Sequence, residues 1–158
     1  MTPRIDAPRV GREFCFEESD GLPMAAGVMQ VGRFDDRVAV PVVDMPGGMS
    51  FDDVRAAVPD ALNVISDPPR ELDLDLARRH VDALDQLPRP TLVSCRAGPR
   101  ASAVVYMYAG LQAGSDPDEV LAAVERDGAP CAALDTYETW IADAIDALRR
   151  PSATPHEA

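Results

Sequence analysis

With 158 residues, 46% of them hydrophobic, and no low-complexity run, the chain has the size and composition of one ordered domain with a core around a small sheet. A formal charge of −12 argues against nucleic acid as a partner, and no apolar stretch nears the roughly 20 residues of a membrane helix. The first residues lack the apolar centre of a signal peptide, and three scattered cysteines (Cys15, Cys95, Cys131) read as free thiols, so a reducing cytoplasm is expected.

Residues 1–27 have no sustained period and are broken by Pro3, Pro8, Gly11, Gly21, Pro23 and Gly27. They read as an arm over the domain, with a short strand near Phe14-Cys15-Phe16. The domain proper spans 28–150. Its first strand is Val28-Met29-Gln30-Val31, and a second covers 38–43, where Pro41 lacks a ladder donor and marks an edge or a break. Ser50 can cap a short helix over 54–58. Ala61-Leu62-Asn63-Val64-Ile65 is a third strand, stopped by Ser66-Asp67-Pro68-Pro69.

A helix follows over 71–87, with Leu74, Ala77, Val81, Leu84 and Leu87 on one face. His80, between Leu76 and Leu84, reads as a partly exposed helix residue. Pro88 and Pro90 end the helix and lead to strand Thr91-Leu92-Val93. From Arg100 to Ala113 the chain is nearly apolar throughout, which predicts a central buried helix. Asp116, Pro117 and Glu119 supply a cap, a first-turn proline and a capping-box partner for the next helix. Asp135 and Glu138 repeat that pattern before a last helix that buries Tyr137, Ile141, Ile145 and Leu148 beside Trp140. Residues 151–158 are a polar tail. Strands alternating with helices imply an α/β domain with a small, largely parallel central sheet flanked by helices.

The chemistry concentrates in Cys95-Arg96-Ala97-Gly98-Pro99-Arg100. A strand ends in a cysteine, a glycine-bearing loop follows, and an arginine opens the central helix. Backbone N–H groups at a helix N-terminus, with a guanidinium beside them, favour a thiolate and a bound oxyanion. The thiolate of Cys95 can attack phosphorus or sulfur. Arg100 can clamp two equatorial oxygens, with Arg96, Ala97, Gly98 and Ser102 as further substrate contacts. Asp67, in a turn after a strand, can protonate the leaving oxygen and then activate water, with Asp44 and Asp73 as fallbacks. The carboxylates are scattered and the two histidines are apart, so no metal site is expected. Cys131 reads as a core thiol, or as a partner for an oxidised Cys95, and Met45, Met49 and Met107 as gap-fillers.

These residues carry a likeness. Residues 62–129 resemble the dual-specificity branch of the cysteine-dependent phosphatases, through Asn63-Val64-Ile65 with Asp67, the helix and strand before Cys95, Ser102-Ala103-Val104-Val105-Tyr106-Met107-Tyr108 after the loop, and Gly114-Ser115-Asp116-Pro117-Asp118-Glu119-Val120. The loop form C-R-x-G-x-R is similar to that of the bacterial beta-lactamase-hydrolase-like phosphatase group. The resemblance implies a cysteine-phosphatase-like fold and a phosphocysteine mechanism without metal or organic cofactor. The substrate would be a phosphorylated protein or a small phosphorylated metabolite, with neither nucleic acid nor membrane as partner.

The chain departs from the dual-specificity pattern in four ways. Four residues rather than five separate Cys95 from Arg100, Ser94 stands where a histidine precedes the cysteine, Pro99 removes a loop donor, and Ala101 replaces the usual hydroxyl, which Ser102 would then supply. These features predict a slow phosphatase or one with an unusual small substrate. They also leave open a rhodanese-like sulfurtransferase carrying a Cys95 persulfide, whose loop has the four-residue spacing, and a catalytically degraded anion-binding or regulatory module. Specificity would lie in loops around 30–50, with Pro46-Gly47-Gly48 on the rim.

Overall fold

Short, largely apolar runs become four strands of one sheet. The computed structural model, which describes residues 13–16, 27–32, 55–56, 60–65, 72–88, 91–95 and 99–149, holds β1 (Glu13–Phe16), β2 (Gly27–Gly32), β3 (Ala61–Ile65) and β4 (Thr91–Ser94) in the order β1-β4-β2-β3. β2 runs parallel to both β3 and β4, whereas β1 is antiparallel to β4. Residues 13–16 of the N-terminal arm are therefore part of the sheet. The strand read over 38–43, most of the Ser50-capped helix, the rim glycines and the tail lie outside the described residues.

Helices carry most of the described chain: α1 (Leu74–Gln86), α2 (Pro99–Ala113), α3 (Pro117–Asp127) and α4 (Asp135–Leu148), with a 3-10 turn at Pro130–Ala133. None is long and apolar enough to cross a membrane. α1 begins later than the expected 71 because the Asp73 carboxylate accepts the Leu76 N–H at 2.8 Å and so fixes the cap. It ends at Gln86 because Leu87 precedes Pro88 and is driven to extended backbone (ψ 141°).

Ala77, Val81, Leu84 and Leu87 of the α1 segment are buried as expected, but the buried face is shifted at its edge. Leu74 is 39% exposed, while Leu76, His80 and Leu84 are fully buried. His80 is thus a core residue, contrary to its reading as partly exposed. Its i±4 neighbours are both leucines, which puts it in the middle of the apolar stripe.

α2 is buried along its whole length from Ala101 to Leu111, as an apolar-all-round helix must be. It starts at Pro99, where a missing N–H deprives the helix of nothing. At its other end Gly114 (φ +71°) lets Ser115 N–H reach the Gly110 carbonyl at 2.9 Å and Gly114 N–H reach Leu111, a Schellman turn. Two tyrosine hydroxyls bind the helix to its neighbours: Tyr108 donates to Asp85 at the end of α1 and Tyr106 to Asp127 at the end of α3, each at 2.8 Å.

α3 opens with the expected box, Asp116 N–H donating to Glu119 Oε1 at 2.8 Å. α4 does not repeat it. Leu134 is the N-cap and Asp135 already lies in the first turn, because the Leu134 carbonyl accepts from Tyr137 N–H (3.0 Å) and Glu138 N–H (3.3 Å). Asp135 and Glu138 still lie where their charge complements the helix dipole.

Candidate functional site

The parallel register places the cysteine. Ser94 is level with Gln30, and Gln30 with Asn63, so Cys95 emerges one residue beyond that row at the C-terminal edge of β2, β3 and β4. In open α/β sheets this edge is where ligands bind. Cys95 is 2% exposed, and its Sγ accepts the Ala101 N–H at 3.2 Å. Ala101 is the third residue of α2, and its amide is one of the donors a helix start leaves without an internal partner. The sulfur therefore caps the helix, at the positive end of its dipole.

Arg100 occupies the second position of α2 and is partly exposed. It lies near Tyr137, a buried residue in the first turn of α4. Burial lifts the Tyr137 pKa above its ordinary value, against the nearby positive charge of Arg100. Tyr137 stays a neutral phenol.

Ser102 is fully buried and donates its hydroxyl to the Pro99 carbonyl at 2.9 Å while accepting the Cys131 N–H at 3.0 Å. A serine has one hydroxyl proton. That proton goes to the helix's own first turn, so in this structure Ser102 braces α2 against the 3-10 turn instead of supplying the hydroxyl expected beside the cysteine. Cys131 is buried too, and burial pushes its thiol up to about 11. It is a protonated core thiol.

Asp73 is spent as the α1 cap, which removes it as a fallback acid. Asp67, Asp44, Arg96, Ala97 and Gly98 lie outside the described residues. Of the sequence-derived site residues, then, Cys95 and Arg100 are brought to one place, and Ser102 stands behind them as a brace. Among the described residues no three His, Cys, Asp or Glu side chains are grouped to hold a metal.

Sequence reasoning assigned Tyr137 and Trp140 to the core and missed that Tyr137 lies near Arg100. Trp140 meets Tyr137 edge-on at 6.4 Å and His80 at 5.8 Å, and its Nε1–H donates to the Asp73 carbonyl at 2.8 Å. Nothing local in Tyr137-Glu138-Thr139-Trp140 signals this, since Arg100 comes from a distant part of the chain. The chain matches no protein-family model, no curated protein and no solved structure.

Proposed function

We propose that the protein is a cysteine-dependent phosphatase that hydrolyses a phosphate monoester through a Cys95 phosphocysteine. The observation that carries this reading is the Cys95 sulfur held at 3.2 Å by the Ala101 amide at the start of α2, with Arg100 on the residue just before that amide. Helices rather than a strand and a glycine-glycine turn follow α2, which favours a phosphatase over a rhodanese-like sulfurtransferase. The architecture this reading takes is the largely parallel, helix-flanked sheet of the cysteine phosphatases.

In the first step the Cys95 thiolate attacks phosphorus, an S–P bond forms and the P–O bond to the leaving group breaks. Arg100 and the loop amides stabilise the charge on the equatorial oxygens. The proton for the leaving oxygen comes from Asp67. β3, whose end lies two residues before Asp67, is separated from β4 by β2 alone, so the two strand ends are roughly 10 Å apart. In the second step Asp67 takes a proton from water, which attacks phosphorus and releases phosphate and the thiolate.

Hydrolysis of para-nitrophenyl phosphate without added metal, from about pH 5 to about pH 8, tests the proposal. Turnover should vanish in Cys95→Ser and fall at least about tenfold in Arg100→Lys, which has no bidentate fork. Turnover that survives in Cys95→Ser would refute it. A folded protein without turnover, but with thiosulfate-dependent cyanide consumption and a persulfide mass shift on Cys95, would assign the site to sulfur transfer instead.

A further inference from the structure

We infer that Ser102 is a positioning residue: its hydroxyl fastens the first turn of α2 to the Pro130–Ala133 turn and so keeps the Ala101 amide on the Cys95 sulfur. The inference rests on the reading of Cys95 as the reactive group and extends it to the segment between α3 and α4, which the loop motif does not contain.

The start of a helix is its least secured part, because its first amides have no carbonyl a turn earlier to bind. α2 begins with Pro99, which has no N–H, and the residue before it in sequence, Gly98, has no side chain with which to cap. The Ala101 amide reaches outward instead, to Cys95 Sγ at 3.2 Å. That bond lasts only while the turn that carries the amide keeps its place. Ser102, the next residue, supplies a hold. Its hydroxyl donates to the Pro99 carbonyl at 2.9 Å, which closes the first turn on itself. The same oxygen accepts the Cys131 N–H at 3.0 Å, which ties the turn to a distant part of the chain. Ser102 and Cys131 are both 0% exposed, so water does not compete for either bond.

The anchor at the other end is itself fixed. Ala129 N–H bonds the Val124 carbonyl at 3.1 Å, across the left-handed Gly128 (φ +63°) that ends α3, and Ala132 N–H bonds the Ala129 carbonyl at 2.9 Å. Leu134 N–H then bonds the Cys131 carbonyl at 3.1 Å, and the Leu134 carbonyl receives the first amides of α4. Cys131 therefore sits in a corner whose two sides are helices. A continuous run of hydrogen bonds leads from that corner through Cys131 N–H, Ser102 Oγ and the first turn of α2 to the Ala101 amide and the Cys95 sulfur. Support of this kind sets the place of a reacting group before any ligand arrives.

The test is amide hydrogen exchange of the full chain, read residue by residue by NMR, with turnover of para-nitrophenyl phosphate measured alongside. The proteins compared are the wild type, Ser102→Ala, the isosteric pair Ser102→Thr and Ser102→Val, and Gly114→Ala, which lowers stability at the far end of α2. In Ser102→Ala the Ala101 amide should exchange at least about tenfold faster, the scale of one buried hydrogen bond, and kcat/KM should fall about tenfold or more. Ser102→Thr, whose hydroxyl can also bond back along the helix, should restore both relative to Ser102→Val. Gly114→Ala should change neither. An Ala101 amide that keeps its wild-type rate in Ser102→Ala, or that speeds up as much in Gly114→Ala, would show that Ser102 only stabilises the fold and would overturn the inference. Wild-type kcat/KM in Ser102→Ala would overturn it too. If Ser102→Thr does not fold in so tight a site, Ser102→Ala against Gly114→Ala decides alone. Selective loss of Ala101 protection in a protein that turns nothing over, wild type included, would leave the hold on the sulfur standing and remove the phosphatase reading.

Discussion

His80 shows how far a single side chain can depart from the role its chemistry suggests. The imidazole is buried among Leu76, Leu84 and Trp140, and its pKa is pushed down from 6.5 to about 3, chiefly by burial, with Arg79 and Arg100 adding to the effect and the Leu76 hydrogen bond opposing it. The unfolded chain takes up that proton below about 6.5, but the folded chain refuses it until about 3. The group therefore leaves stability intact above 6.5 and erodes it as pH falls through the window, by about 1.4 kcal/mol per pH unit well inside it. Nε2 has no hydrogen-bond partner among the described residues, so His80→Leu gives up little at neutral pH. Thermal melts at about pH 7 and about pH 5 should show a smaller drop in Tm for His80→Leu than for the wild type, and equal drops would contradict this account. The periodicity between Leu76 and Leu84 already placed the ring inside, while its polar identity argued for the surface. Packing won.

Among elements, α2 does the most to define the site, because both of its ends are fixed. A Cβ at Gly110 would overlap the Val120 Cγ2 methyl of α3 and press on Ile145 Cδ1 of α4. A helical valine has few other rotamers to retreat to. Gly110→Ala should therefore destabilise the protein by about 1–3 kcal/mol, read as a lower denaturant midpoint, even though alanine is the better helix former. Gly114→Ala should cost about 1 kcal/mol through the left-handed turn alone. These helix ends were legible in the sequence because their chemistry is local: Asp116, Pro117 and Glu119 lie within one turn, and Gly114 follows the last apolar residue. The start of α4 was not, since the 3-10 turn delivers Leu134 rather than Asp135 to the cap, and that depends on a fold in the preceding segment. The site divides in the same way. Cys95 and Arg100 could be read from one loop, but the nearness of Tyr137 to Arg100 comes from helices that meet only in space.

For the whole molecule, the formal charge of −12 sets the conditions under which an oxyanion reaches Arg100. The protein's net field repels anions at long range, and local positive charge such as the Arg100 guanidinium attracts them. Salt screens the long-range part first, over about 10 Å at about 0.1 M. If the proposed reaction is correct, kcat/KM for para-nitrophenyl phosphate should rise between about 10 mM and about 100 mM sodium chloride, the reverse of an electrostatically steered enzyme. A fall over that range would mean that the local attraction, not the net repulsion, governs the encounter. Bound phosphate should also raise the melting temperature by mass action, and Arg100→Lys should lose most of that rise.

The sheet order has a consequence in time. β4, which carries the chain to Cys95, lies between β1 and β2, and both of these precede it in the sequence. A chain growing from its N-terminus makes β1, β2 and β3 first, and has to keep β1 and β2 apart until the strand between them is synthesised. Until then each presents an unpaired edge to any other chain nearby. The nucleophile thus enters the fold with the strand that closes the sheet, and a nascent protein that stalls before β4 lacks both the thiol and the sheet's centre.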